Sequence, residues 1–287
     1  MAVIATGFFD GVHIGHRMVV DTLVQTARER GEESVILTFW PHPRTVLQND
    51  AVRLRLLNSL DEKLAILKNL GVDRVEVLPF TREFSRMTAG EYFDTVVKDR
   101  YNGTAVLLGY DNRIGSDLLS REQATACARE HGLDVIRTES VSSVGMAVSS
   151  TKIRKALSDG DVALASKLLC CDYSIRGVVV SGKQLGRTIG FPTANMRLYE
   201  PLKLIPSDGV YLTRVGTMLG SHYGMTNVSE IIETNIFDFD DMIYGQDITL
   251  EFISKVRNEM RFPSLEALKE QLEKDREACF ALLTHKS

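Results

Sequence analysis

Two histidines three residues apart, His13 and His16, lie in the run GFFDGVHIGH, directly after the apolar segment MAVIAT. Glycines let the backbone approach a phosphate closely, and a helix that starts after such a turn offers free N–H groups and the positive end of its dipole. Imidazoles at this spacing share the first helical turn. Both can then face one ligand and donate hydrogen bonds to phosphate oxygens as charge builds at a phosphoryl centre, a layout suited to nucleotidyl transfer. A pair of capping or surface histidines is the plainer reading of an arbitrary H-x-G-H. A second anion-binding element, VSSTKIRKAL, lies further along the same half of the chain. There Ser150 and Thr151 put hydroxyls at a helix start, and Arg154 follows one turn later.

A third constellation is VVVSGKQLGRTIGFPTANM. Gly182, Gly186 and Gly190 make a loop whose N–H groups can wrap a phosphate chain. Thr193 and Asn195 supply a hydroxyl and an amide carbonyl, the hard oxygen ligands that Mg²⁺ prefers. A plain glycine hairpin has no need of that ending.

These residues must be positioned by two kinds of scaffold. In residues 1–158, apolar runs SVILTF (34–39), DRVEVLPF (73–80), TAVLLG (104–109) and DVIRT (134–138) alternate with amphipathic stretches, such as Val20, Leu23, Val24 and Ala27 at helical spacing and the segment DEKLAILKNL. That order predicts βαβ units, a parallel sheet with helices on both faces. A helical linker is expected over 159–171. From 172 to 287 the runs become short and alternating, broken by Gly, Pro, Asn and Asp, and predict an antiparallel barrel or sandwich. A last helix begins near Ser264, with Leu265, Leu268, Leu272 and Leu283 on one stripe.

The 287 residues are 44% hydrophobic and 25% charged, ordinary for a globular protein, and a formal charge of −4 argues against bulk nucleic-acid binding. An anionic ligand must be held by local sites. Cys127, Cys170, Cys171 and Cys279 match neither a disulfide framework nor a metal knuckle, which suits a reducing cytoplasm. MAVIATGFF lacks a basic leader and reads as a buried strand, and no run approaches the roughly 18 apolar residues of a membrane span. Neither a membrane nor a nucleic-acid partner is expected, and the oligomeric state is open.

GFFDGVHIGH, TFWPHP (38–43), LLGYDNRIG (107–115) and SSTKIR (149–154) resemble, in order, the adenylyltransferase module of the bacterial bifunctional riboflavin kinase/FAD synthetases, and PTAN (192–195) resembles the flavokinase motif. The likeness covers nearly the whole chain. It implies a Rossmann-like nucleotidyltransferase domain with a parallel sheet, followed by a flavokinase-like antiparallel β-barrel with a terminal helix. It implies two reactions: phosphorylation of riboflavin to FMN by ATP, and adenylyl transfer from ATP to FMN giving FAD and pyrophosphate, with Mg²⁺. The partners are then small molecules, namely ATP, riboflavin and FMN. In the first site the resemblance implies catalytic His13, His16 and Arg154, ATP contacts at Gly7, Phe8, Gly15, Ser150 and Thr151, and flavin contacts at Asn112 and His42. In the second it implies Glu233 as general base, ATP contacts at Gly182, Gly186 and Arg187, metal ligands Thr193 and Asn195, and flavin contacts at Arg257 and Phe262.

Several residues keep two readings. His42, between two prolines, is a rigid turn residue or a ligand contact. Phe39 and Trp40 are core aromatics or stack on an isoalloxazine ring. Asp10 braces the glycine turn through side-chain hydrogen bonds or touches substrate. Asp238 and Asp240, alternating with Phe237 and Phe239, are expected in solvent. Relatives read roughly D-F-x-F-G where this chain has DNRIG. They also carry an R-P-T stretch near 228–230, so about ten residues are absent here. That shortening motivates the alternative: FAD synthetase only, with the C-terminal domain a flavin-binding or assembly module. A different phosphorylated acceptor, or a flavin-binding regulator without turnover, are the remaining readings.

Overall fold

The computed structural model describes residues 1–47, 54–109, 114–138, 142–143, 146–182 and 185–284. The chain divides into two compact units, Met1–Ser150 and Thr151–Ser287.

In the first unit the order is β1 (Ala2–Thr6), α1 (Ile14–Arg30), β2 (Glu33–Trp40), α2 (Pro43–Leu47), α3 (Leu60–Asn69), β3 (Arg74–Pro79), α4 (Ala89–Glu91, running on as a π-helical stretch Tyr92–Arg100), β4 (Gly103–Leu108), α5 (Arg121–Glu130) and β5 (Asp134–Arg137), then a two-residue hairpin β6–β7 (Ser142–Ser143, Met146–Ala147). The five long strands form one parallel sheet in the order β3-β2-β1-β4-β5. Ile4, Val35, Leu37 and Val106 face the helical stretch 89–100 and α5, while Val3, Ala5, Ile36 and Leu107 face α1 and α3. Burial on both faces is why these strands read as continuous apolar runs. The stripe Val20, Leu23, Val24 and Ala27 is the buried side of α1. A capping box between Ser59 and Glu62 starts α3.

The strand order reverses at β1, between β2 and β4. Clefts for ligands in such sheets open at the carboxyl ends of the strands beside that reversal. The histidine turn leaves the carboxyl end of β1.

The second unit contains α6 (Ser150–Asp159, from Thr151 on), α7 (Val162–Leu169), β8 (Tyr173–Val180), α8 (Leu185–Thr188), β9 (Ala194–Leu198), β10 (Gly209–Thr217), β11 (Gly220–Val228), β12 (Ile232–Ile236), β13 (Asp247–Arg257) and α9 (Leu265–Thr284). Ser207 N–H donates to the Leu157 carbonyl at 3.0 Å, tying α6 to the segment before β10. The strands close into an antiparallel barrel, β10-β11-β12-β9-β8-β13, with β13 returning to β10. Closure leaves no open sheet edge, and it decides for the barrel over the sandwich.

Inside the barrel the hydroxyls of Thr213, Thr226 and Thr234 form a chain with spacings of 2.8 and 2.9 Å. Outside it, Val210, Leu212, Met225 and Ile253 pack with Cys279, Leu272 and Leu283 of α9. The expected leucine stripe holds at Leu272 and Leu283 but not at Leu265, which is 46% exposed; the fully buried position is Cys279. Phe237 is buried while Asp238 and Asp240 are exposed, as their alternation suggested.

Candidate active sites

His13 is the N-cap of α1. Its Nδ1 accepts from the His16 N–H at 3.4 Å, and the two imidazoles stack with centroids 3.7 Å apart and planes 13° from parallel. The His16 ring also meets the edge of Phe9 at 5.3 Å. Burial, then the neighbouring His13, then the Lys63 ammonium hold the His16 imidazole well below the ordinary histidine range. His16 is therefore neutral at pH 7. Its Nδ1 is buried without a hydrogen-bond partner among the described residues.

The turn carrying this pair is strained and firmly held. Phe9 and Val12 have φ of 54° and 38°, left-handed values that cost a β-branched residue most. Gly7 N–H donates to Leu37 O at 3.0 Å. The Phe8 carbonyl accepts from Thr38 Oγ1 at 3.2 Å and from Lys63 Nζ at 3.0 Å. Ser150 Oγ donates to the Asp10 carbonyl at 2.9 Å, which joins the second anion-binding element to the first. Thr151 and Arg154 follow on α6. Gly15 leaves the first turn of α1 open; a Cβ there would stand 3.2 Å from the His13 ring.

Asp10 accepts from the N–H groups of Leu57 and Asn58 at 3.0 and 3.2 Å. It braces the segment entering α3.

Beside the turn lies a cavity of ≈480 Å³, walled by Phe8, Phe39, Phe80, Phe84, Tyr92 and Ile114. Phe39, Phe80 and Phe84 sit in mutual edge or tilted contact at 5.5–5.7 Å. Phe39 is thus partly core and partly pocket wall, while Trp40 does not line the cavity. His42 packs its ring on Phe8 at 4.1 Å, beside the wall, and its Nδ1 accepts from Arg44 N–H at 3.0 Å at the start of α2. Asn112 lies outside the described residues.

In the barrel, Arg257, Val210, Asn227, Glu233 and Asn195 stand opposite one another on five successive strands, β13-β10-β11-β12-β9. Directly paired residues share a sheet face. The row puts Glu233 between two asparagine amides, and Glu233, Asn227 and Arg257 line a cavity of ≈170 Å³ with Thr193 and Phe262. Thr193 also lines a second hollow of ≈70 Å³ with Arg187, Phe239 and Tyr244. Thr193 therefore lines both hollows. Gly186 has no room for a side chain, since a Cβ would overlap the Phe191 carbonyl. A Cβ on Gly182 would overlap the Asn195 amide. Asn235 Nδ2 donates to the Pro192 carbonyl at 2.7 Å and fixes the PTAN segment.

Residues 1–152 match the FAD synthetase family and residues 169–283 the riboflavin kinase family. The bifunctional riboflavin kinase/FMN adenylyltransferase of Listeria monocytogenes is 34% identical over 283 residues, spanning 95% of this chain and 90% of its own. This chain belongs to the bifunctional riboflavin kinase/FMN adenylyltransferase family. The Bacillus subtilis member is 32% identical over 288 residues, 96% of this chain and 90% of that one. A solved structure from Streptococcus pneumoniae, described as a macrolide-efflux protein, superposes with a TM-score of 0.89 at 32% identity over 97% of this chain and 93% of that one. No helix among the described residues here is long and apolar enough to cross a membrane.

Residue reasoning missed Lys63, Phe80, Phe84, Tyr92 and Asn235. Phe80 follows directly on a predicted parallel strand, the place where walls of a ligand cleft belong, and that signal was legible. Asn235 is two residues past Glu233, hence on its face of the strand. Lys63, inside an amphipathic helix, had no signal beyond a lysine at a buried helical position.

Proposed function

We propose that the barrel phosphorylates riboflavin and that the histidine site adenylylates the FMN so formed. The observation that carries this reading is the row Asn227–Glu233–Asn195 beside Thr193, where one cavity of flavin-wall character adjoins a second hollow. At the barrel site Glu233 takes the proton of the ribityl hydroxyl as its oxygen bonds to the γ-phosphorus, and the bond to the ADP oxygen breaks. The loop through Gly182 and Gly186, with Arg187, receives the phosphate chain. Arg257 and Phe262 wall the flavin side.

Thr193 and Asn195, two residues apart at the start of β9, present neutral hard oxygens on one side of the strand, and Gly182 leaves room for the Asn195 amide. Such a donor pair fits Mg²⁺ that is shared with nucleotide phosphates. When bound, the ion neutralises phosphate charge as transfer proceeds. Thr193 and Asn195 fix where the phosphates lie relative to Glu233.

At the first site the aromatic cavity takes the isoalloxazine ring. An FMN phosphate oxygen bonds to the α-phosphorus of ATP, and pyrophosphate leaves with the electron pair of the broken bond. The FMN phosphate is already ionised at neutral pH, so no base has to prepare it. His13 and neutral His16 orient and stabilise phosphate oxygens by hydrogen bonding. Gly7, Phe8 and Gly15 shape the turn against ATP, and Ser150, hydrogen-bonded to that turn, adds a phosphate contact read from the sequence. None of the four cysteines is in a disulfide, in keeping with a cytoplasmic enzyme.

A kinase-dead reading is not favoured, because the riboflavin kinase family match spans the barrel and Gly186, Thr193, Glu233, Arg257 and Phe262 share one cavity. Incubation with riboflavin, ATP and Mg²⁺, with chromatographic separation of FMN and FAD, tests the proposal. Both products are expected; FAD formed only from supplied FMN would sink the kinase half.

A further inference from the structure

Lys63 is a lysine with almost no access to water, 2% exposed, in the first turns of α3. Its ammonium donates to the Phe8 carbonyl and to Thr38 Oγ1, both at 3.0 Å, and stands 4.0 Å from the centroid of the Phe8 ring. A buried cation is tolerated only where hydrogen bonds and charge compensate its lost hydration. The acceptors here are neutral. The nearby anion, Asp10, accepts from the backbone N–H groups of Leu57 and Asn58 and acts on Lys63 through its charge. A buried cation, held by two neutral acceptors with the Asp10 carboxylate nearby, thus stands directly behind the residue that forms one wall of the aromatic cavity.

We propose that Lys63 is a positioning residue for adenylyl transfer: it clamps the Phe8 carbonyl beneath the histidine turn and supplies the fixed positive charge that draws the anionic substrates to that turn. This rests on reading the first unit as the FMN-adenylylating site. The geometry divides the work between neighbours. Neutral His16 offers hydrogen bonds without charge, and Lys63 offers charge without entering the cavity. Thr38, by donating to the same Phe8 carbonyl while accepting from Lys63, locks the clamp in one arrangement.

Burial pushes the Lys63 ammonium down to about 8, with Asp10 opposing that shift. The other titratable or charged groups around the turn are His13, His16 and Arg17 on α1 and its cap, and His42 after β2. Of these, His16 is held well below the ordinary histidine range by burial. A basic limb near pH 8 in kcat/KM for ATP, which reports free-enzyme groups, is expected from Lys63.

The test uses the full chain and both of its reactions. Lys63→Met is expected to lower kcat/KM for ATP in FAD synthesis from supplied FMN by about 30-fold, the scale of one lost charge-assisted contact. FMN formation from riboflavin should stay within about twofold and serves as the check on folding. Lys63→Arg, which cannot lose its charge in this range, should recover most of the rate and flatten the limb near pH 8. Unchanged FAD synthesis in Lys63→Met overturns the inference. So does a wild-type profile that is flat through pH 8, or a limb that persists in Lys63→Arg; both readings survive a Met variant that fails to fold. Wild-type protein that makes no FAD from FMN would instead defeat the assignment of the site.

Discussion

Arg257 and Asp275 form a two-point ion pair: guanidinium Nε and Nη2 reach the carboxylate at 2.8–2.9 Å, and the Asp275 side chain is only 2% exposed. Gln271 adds a hydrogen bond to the same carboxylate at 2.8 Å. The pair fastens α9 to the end of β13, the strand that brings Arg257 into the Glu233 row. With Nη1 given to the Asn258 carbonyl, Arg257 stands in the cavity wall as a fixed element.

Removing one member of a buried pair leaves the other charge uncompensated. Asp275→Ala should cost about 3 kcal/mol of barrel stability, the low end for buried pairs because Arg257 retains some contact with water. Denaturant unfolding followed by circular dichroism measures it. The riboflavin KM should rise while FAD synthesis from supplied FMN stays unchanged.

His16 lies in the first unit and Glu233 in the second, so the two should fail separately. His16→Ala should lower FAD formation by roughly 10²–10³-fold and spare FMN formation. Glu233→Gln should lower FMN formation by roughly 10²–10⁴-fold and spare FAD synthesis from FMN. Initial rates from the two half-reactions decide both; equal loss of both activities in either variant would contradict independent sites.

Gly182 faces the Asn195 amide so closely that any Cβ overlaps it. Gly182→Ala should push Asn195 out of line with Thr193, reduce the kinase rate by about tenfold or more and raise the Mg²⁺ concentration needed for half-maximal rate. A Mg²⁺ titration of FMN formation reads both. Asn195→Ala should reproduce the metal effect, and an unaltered Mg²⁺ requirement in both would remove the pair as ligands.

His16 is held neutral in the folded protein, whereas the unfolded chain protonates it near its ordinary value of about 6.5. Below that pH the unfolded state binds the extra proton and the folded state does not, so this contribution to stability is complete above about pH 6.5 and is lost as pH falls. The thermal midpoint of the first unit should therefore drop between pH 7.5 and 5.5 in the wild type and drop less in His16→Gln. Calorimetry over that range checks it; an equal slope in the variant would assign the loss to other groups.

Much of this protein was legible as a string of residues. Strands buried on both faces show as unbroken apolar runs, the stripe on α1 recurs at helical spacing, and each candidate phosphate turn, His13 with His16 and Gly182 with Thr193 and Asn195, is a local run of the chain. Leu265 misled because periodicity marks an apolar face without saying how far the surface that covers it extends.

What only the folded chain decided depends on partners distant in sequence. Glu233 meets Asn195 and Asn227 through barrel register, Asp275 finds Arg257 across the approach of α9, and Lys63 reaches Phe8 because α3 packs against the sheet beside β1. Register and packing are set by how whole faces fit, and no local spacing carries that information. The sequence by itself settled the parallel α/β unit, the antiparallel class of the second unit and the glycine-rich turns; the tertiary structure decided the closure of the barrel, which charges stay buried, which imidazole stays neutral and which wall each pocket has.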